Sequence, residues 1–237
     1  MHGRTTLRIA VAVAVLAVAG FVGAYLLFFT DDSPPPLRLS QASTTAPVQQ
    51  ATAGATPDVA GVWHVASQSV AGYRVREKLA ALPAQSDAVG RTSAVTGQVR
   101  VDGSGSALTA TDARFEVDLT KLTSNESRRD NVIRRQGLES DRFPTATFVT
   151  VEPIRLANRP PSGDTVKVSA VGDLTLHGVT KRVTIPIDAR QSGDKIELVG
   201  SLTFPMSDFD IDPPDVAGVV TVEPIATMEF QIFLERS

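Results

Sequence analysis

With 237 residues, 42% hydrophobic and 21% charged content and a formal net charge of −3, the chain has room for one domain of about 150–200 residues plus extra segments, and no basic excess to draw it to nucleic acid. It contains no cysteine, which excludes a disulfide framework, a thiolate nucleophile, a Cys-ligated zinc or iron–sulfur site and the acylated cysteine of a lipoprotein. Any attachment to a membrane is therefore made by the polypeptide itself.

The first such attachment comes early. Residues 9–29, "IAVAVAVLAVAGFVGAYLLFF", form an uncharged apolar run long enough, at ~1.5 Å per residue, to cross a hydrocarbon core of roughly 30 Å as one helix. Arg4 and Arg8 precede it and Asp31 and Asp32 follow it, so the positive-inside bias puts residues 1–8 in the cytoplasm and the bulk of the chain outside, as a single-pass protein of the cell membrane. A cleaved signal peptide is the competing reading, but the run ends in Leu-Leu-Phe-Phe-Thr-Asp-Asp without a small-x-small site. Residues 30–57, rich in Pro, Ser, Thr, Ala and Gln, read as a linker, stiff at Pro34-Pro35-Pro36 and otherwise flexible.

From residue 58 to the end the period changes to two. In "ARFEVDL", Phe115, Val117 and Leu119 alternate with Arg114, Glu116 and Asp118, the signature of a sheet with one wet face. The same alternation places Val99 and Val101, Leu174 and Leu176, Val183 to Ile187, Ile196 to Leu202, and Met228 to Leu234 on inward faces. "HGVTK" at 177–181, "NRPPSGD" at 158–164 and "QSGDK" at 191–195 supply turns. Short strands with Gly and Asp turns and no long amphipathic helix predict an all-β, antiparallel sandwich or barrel. Residues 122–144 break the rhythm. They read as a long connection carrying one short helix, capped by Ser124 or Asn125 and closed by Gly137, with Arg128, Arg129, Arg134 and Arg135 offset by Glu126, Asp130, Glu139 and Asp141 in a solvated, self-paired loop.

"RRDNVIRRQGLESDRFPTATF" (128–148) and "VGDLTLHGVTKRVTIPI" (171–187), with "GVWHV" at 61–65 and "SVAGYRV" at 69–75, resemble the YceI-like family, in its membrane-anchored actinobacterial form. The likeness runs over nearly all of residues 59–235. It implies a lipocalin-like antiparallel β-barrel of about eight strands that binds a polyisoprenoid or other long apolar lipid in its interior. On that reading the candidate ligand-binding aromatics are Phe115, Phe148, Phe204 and Phe230, and the aliphatic ones Val117, Leu174, Leu176 and Ile232. Trp63 and Tyr73, each with an apolar body and a polar tip, suit either the mouth or a core position with a satisfied hydrogen bond. A barrel of this size is either filled by side chains or holds one slim ligand: the small inward residues Ala189 and Gly200 would leave room, whereas the phenylalanines would consume it.

His177 precedes Gly178 at the end of a strand, where a side-chain hydrogen bond fixing the turn, or a contact to a ligand headgroup, is the expected role. Nothing in the sequence supplies the nucleophile and orienting acid that catalysis needs, and the other two histidines, His2 and His64, make no zinc set with it. Asp208, Asp210, Asp212 and Asp215 resemble a calcium loop, but Pro213 stands where the glycine and further ligands belong; a rim loop is expected there. No cofactor is called for. The chain thus reads as a non-catalytic, extracytoplasmic lipid-binding protein tethered by its N-terminal helix. The alternative is an envelope-stress or protein-interaction module whose barrel is filled by side chains.

Overall fold

The computed structural model describes residues 33–41, 59–79, 85–104, 106–216 and 220–236. The expected cytoplasmic segment 1–8, anchor 9–29 and most of the linker lie outside the described residues, among which no helix is long and apolar enough to cross a membrane. The chain divides into two units, Met1–Pro34 and Pro35–Ser237, and all of the first but Ser33 and Pro34 lies outside the described residues.

The second unit is built from twelve strands: β1 Gly61–Val65, β2 Val70–Leu79, β3 Gln85–Thr92, β4 Val95–Ser104, β5 Ala107–Asp118, β6 Thr145–Thr150, β7 Ile154–Leu156, β8 Thr165–Leu176, β9 Val179–Ser192, β10 Lys195–Pro205, β11 Asp215–Val216 and β12 Val220–Arg236. Eight of them, in the order β1-β4-β5-β6-β8-β9-β10-β12, form an antiparallel ring that β12 closes by pairing back onto β1. Closure removes the free edges that an open sheet of this length would offer to aggregation.

One edge of the 17-residue β12 pairs with β10, and the other is shared by two neighbours. Trp63, His64 and Val65 of β1 face its last residues, Arg236, Glu235 and Leu234, while β2 pairs along its first part, from Val220 to Gln231. The β2–β3 hairpin is thus inserted beside the ring, and the bridge between Arg91 and Thr123 ties β3 to the connection after β5. A register shift between Val222 and Ala226 brackets Pro224, which has no N–H for the ladder.

The β8–β9 hairpin shows how local sequence sets register. Leu176 pairs with Val179, leaving a two-residue turn in which both His177 (φ 52°) and Gly178 (φ 78°) are left-handed. This mirror-image turn matches the strand twist, and histidine is among the non-glycine residues that tolerate the conformation best.

The connection 119–144 contains a short 3-10 turn, Leu119–Lys121, helix α1, Ser127–Val132, and a π turn, Ile133–Gly137. The cap is neither Ser124 nor Asn125. Glu126 takes that place, its carboxylate accepting from Arg128 N at 3.1 Å. Nor is the loop solvated and self-paired throughout. Arg129 reaches out to Glu77 of β2 in a two-pronged ion pair, 3.0 Å on each prong, and Gly137 is buried while Ile133 and Leu138 are half-buried.

One stretch of the expected linker is held in place. Residues 35–41 cross the outer wall of the barrel, over β3, β12, β10 and β9. Arg91 donates to Pro35 O at 2.5 Å and Gln231 to Arg38 O at 3.1 Å. Ser40 gives its N–H and its hydroxyl to Glu197 at 2.7 and 2.9 Å, and Arg190 donates to Ser40 O at 2.5 Å. Beneath this strap lie Glu197, 6% exposed, and Glu229, 4% exposed, on the face where carboxylates are ordinarily wet. Glu197 is paired with Arg190 at 2.6 Å and Glu229 with Arg91 at 2.7 Å. The expectation of a stretch unable to order itself is corrected here: hydrogen bonds to the barrel wall hold it, with Leu37 and Leu39 half-buried.

Candidate ligand cavity

The inward faces of the strands enclose a cavity of about 190 Å³. Nine of the ten candidate ligand-binding residues border it: Tyr73, Phe115, Val117, Phe148, Leu174, Leu176, Phe204, Phe230 and Ile232. Trp63 does not. Its ring is 1% exposed in the packed cluster formed by β1, β4 and β12, and its indole N–H donates to Val59 O at 2.9 Å. A tryptophan so enclosed has spent its polar handle on the backbone and is part of the wall's packing.

Five aromatic rings line the cavity without filling it, and for four of them a glycine is the reason. A Cβ placed on Gly200 would come within 2.5 Å of the Phe230 ring, on Gly172 within 2.4 Å of Phe148, on Gly97 within 2.8 Å of Phe115, and on Gly90 within 2.3 Å of Tyr73. In three of these cases the glycine directly faces the aromatic residue across a strand pair: Gly200 and Phe230, Gly97 and Phe115, Gly90 and Tyr73. Each ring lies in the space that a neighbouring side chain would have taken, so it covers the wall and leaves the axis open. The two sequence readings of the interior, small residues that leave room and large ones that consume it, are one arrangement.

The connection 119–144 closes part of this cavity. Leu119, Leu122, Ile133, Gly137 and Leu138 are on its border, together with Ile211 and Pro214 from the loop after β10. These were missed in the sequence, where charge dominated the segment; the signal was the apolar pair Val132-Ile133 followed by Leu138. Ala189, although on an inward register, is not on the border.

His177 sits at the foot of this closure. Its Nδ1–H donates to Phe209 O at 3.2 Å, which places the proton of a neutral ring on Nδ1, and its ring packs against Phe143 at a 60° tilt with 4.3 Å between centroids. Nε2 is buried without a hydrogen-bond partner among the described residues, 3.8 Å from a Glu139 carboxylate oxygen. The expected hydrogen bond within its own turn is not formed: the turn is held by left-handed backbone, and the side chain ties the hairpin to the loop after β10.

Polar chemistry is sparse along the cavity. The polar residues on its border are Tyr73, Thr147, Thr150 and Glu229, and burial pushes the Tyr73 hydroxyl far above the usual tyrosine range, so that group stays protonated. Among the described residues no group of three metal-ligating side chains forms a cation site. The aspartate-rich stretch is a rim loop in which Asp208 pairs with Lys181 at 3.2 Å and Asp210 takes a left-handed conformation closing the Met206–Phe209 turn.

A closed antiparallel barrel of eight strands with a largely apolar interior is an architecture that either fills its axis with side chains or holds one slim ligand. The YceI-like domain matches residues 63–233, and the chain belongs to that family. It is 32% identical over 114 residues to a UPF0312 protein of Vibrio parahaemolyticus, a match covering 45% of this chain and 57% of the relative. It is 31% identical over 141 residues to a UPF0312 protein of Vibrio vulnificus, covering 56% and 70% respectively. In fold it is similar to a polyisoprenoid binding domain from Saccharophagus degradans implicated in plant cell wall breakdown, with a TM-score of 0.54 at 14% identity, over 74% of this chain and 98% of that one.

Proposed function

We propose that this protein is a lipid carrier of the membrane-anchored, actinobacterial type within its family, tethered on the extracytoplasmic face and holding a polyisoprenoid or long acyl chain in its barrel without covalent chemistry. The observation that supports this most is the open axis: an apolar cavity of about 190 Å³ kept clear by glycines behind its aromatic rings. Burying a slim hydrocarbon there contributes roughly 25 cal/mol for each Å² removed from water, enough for stable retention with few polar contacts. The polyisoprenoid-binding character of the Saccharophagus domain suggests the branched class of cargo. The apolar run at 9–29, flanked by Arg4 and Arg8, supports the tether. A barrel filled by side chains would instead suit an interaction module, and the cavity speaks against that reading.

The test is mass spectrometry of an organic extract from the full chain, purified in an amphipathic polymer, beside Phe148→Asp and Phe230→Asp variants prepared identically. A stoichiometric isoprenoid or acyl species in the wild type, lost from folded variants, is the expected result. Equal lipid content in all three preparations would leave only polymer-borne lipid and sink the carrier reading.

A further inference from the structure

The groove under the strap of residues 35–41 is built by the wall alone. Gly72 of β2 carries no side chain, and Arg91 of β3 lies in the space, its Cγ 2.8 Å from where a Cβ would stand. The arginine thereby crosses β2 and donates twice to Glu229 of β12, at 3.0 and 2.7 Å. Glu197 of β10 accepts from Gln231 of β12 at 2.7 Å and from Arg190 of β9 at 2.6 Å. Each wall donor that meets the strap therefore has a second partner within the wall. Glu197 and Glu229 each keep a cationic partner when the strap leaves, so its departure avoids the penalty of an unpaired buried charge.

What this groove holds is an extended main chain. Arg91 donates to Pro35 O, Gln231 to Arg38 O and Arg190 to Ser40 O, while Glu197 accepts from Ser40 N. Ser40 adds its hydroxyl, given to Glu197 at 2.9 Å and lying 3.3 Å from Gln231 Nε2. Leu37 and Leu39 are half-buried and Arg38 between them is exposed, the alternation of an extended segment laid on a surface.

These contacts depend on the strap's sequence and not on which chain carries it. The 17 residues 42–58 join the strap to the barrel and, at ~3.4 Å each, reach at most about 60 Å, far enough for the groove of an adjacent molecule. A connection of this length offers the strap to its own groove at an effective concentration on the order of mM. Copies crowded on one membrane surface come into the same range. The segment that fits the groove is one that every copy carries.

We propose that the groove is a docking site for a second copy of this chain: residues 35–41 of each copy lie in the groove of the other, and the reciprocal exchange closes a pair. This rests on the tether reading above, because the shared surface supplies the concentration. The exchange uses the same hydrogen bonds as the single chain and leaves the cavity untouched.

The chain has no cysteine, so introduced ones report without background. Arg38→Cys is made in one preparation and Val199→Cys, at the position facing Gln231 across the ladder, in another. Full chains of both are reconstituted together in phosphatidylcholine vesicles and treated with a short bismaleimide. A chain carrying both cysteines, reconstituted sparsely, tests that the reagent spans the pair. Should Val199→Cys not fold, Ser201→Cys, exposed on the same face of β10, takes its place. A cross-linked product containing one chain of each type is expected to increase with the chain-to-lipid ratio. Adding Ser40→Pro to the Arg38→Cys chain removes the N–H and the hydroxyl that Glu197 accepts and should reduce that product ~10-fold. Linkage within the double-cysteine chain, with none between the two single variants at any ratio, would overturn the exchange and leave a strap that serves its own barrel. A mixed product that Ser40→Pro leaves unchanged would overturn it too, since collision alone would then explain it. No linkage even within the double-cysteine chain would overturn the groove as the strap's site. Chains that do not float with the vesicles would overturn the tether reading and the exchange with it.

Discussion

Gly200 carries no side chain, and the Phe230 ring occupies the place where one would be. A larger residue there must drive the ring toward the barrel axis. Gly200→Val is therefore expected to destabilise the domain by about 1–3 kcal/mol through overpacking and to lower the bound lipid several-fold. Gly200→Ala combined with Phe230→Leu should recover only part of both, because a Cβ at position 200 also stands 2.8 Å from Pro186 O, which extraction and thermal unfolding together would check. His177 makes a different kind of demand on its residue type. Its left-handed φ of 52° is readily taken by asparagine and costs a β-branched residue of order 1–3 kcal/mol. His177→Asn should unfold close to wild type and His177→Val well below it. Should the two variants unfold at the same temperature, the side-chain bond to Phe209 O, and not the backbone, would be what the position supplies.

Among the elements, the strap of residues 35–41 depends most on protonation. Burial works against the charge on Glu197 and is the largest influence on it, but hydrogen bonds from Ser40, Gln231 and Arg190 together outweigh it and hold the carboxyl below its usual range. A depressed folded value means that the clasp contributes its full stability above the ordinary glutamate range, near ~4.3, and loses it as pH falls through the lower folded value. The protection factor of the Ser40 amide, whose N–H Glu197 accepts, should accordingly be large at neutral pH and fall in acid. Glu197→Gln should give fast exchange at neutral pH and abolish the acid dependence; slow exchange in that variant would place the strap's stability elsewhere. Strands were legible element by element because alternation such as Phe115/Val117 or Ile185/Ile187 reports a half-wet sheet directly. The strap was not, because Leu37 and Leu39 make no period in a proline-rich stretch and its hold comes from backbone groups meeting Glu197, Arg190, Arg91 and Gln231, all remote in sequence. The glycine and aromatic pairs were equally hidden: Gly97 and Phe115 are close in sequence, but their contact follows from register, which alternation leaves open.

In the molecule as a whole, the ring of eight strands is fixed by closure, while the β2–β3 insertion and the connection 119–144 complete the wall where β12 turns from one partner to the other. Alternation showed an antiparallel, all-β domain, and the family resemblance implied a barrel of about eight strands; that β12 serves both β1 and β2 follows from its length of 17 residues, visible only as one long alternating run broken at Pro224. The connection is fastened on one side by Arg129 to Glu77 and on the other by Phe143 and Glu139 against His177. Loosening the first should open the cavity without unfolding the ring. Glu77→Gln is expected to speed lipid release several-fold with little change in unfolding temperature, measured by transfer of a labelled isoprenoid to acceptor vesicles. An unchanged release rate would mean that cargo leaves by another opening.

The glycines behind the rings also constrain how this barrel can diversify. Glycine is the smallest residue there is, so at positions 90, 97, 172 and 200 every substitution adds volume on the cavity side of the wall. Variation at these four sites is a ratchet on bore: single changes narrow it, and widening it requires shortening an aromatic residue instead. A lineage that exchanged its cargo for a thinner one could do so at a glycine in one step, whereas a thicker cargo demands a new partner for each ring displaced.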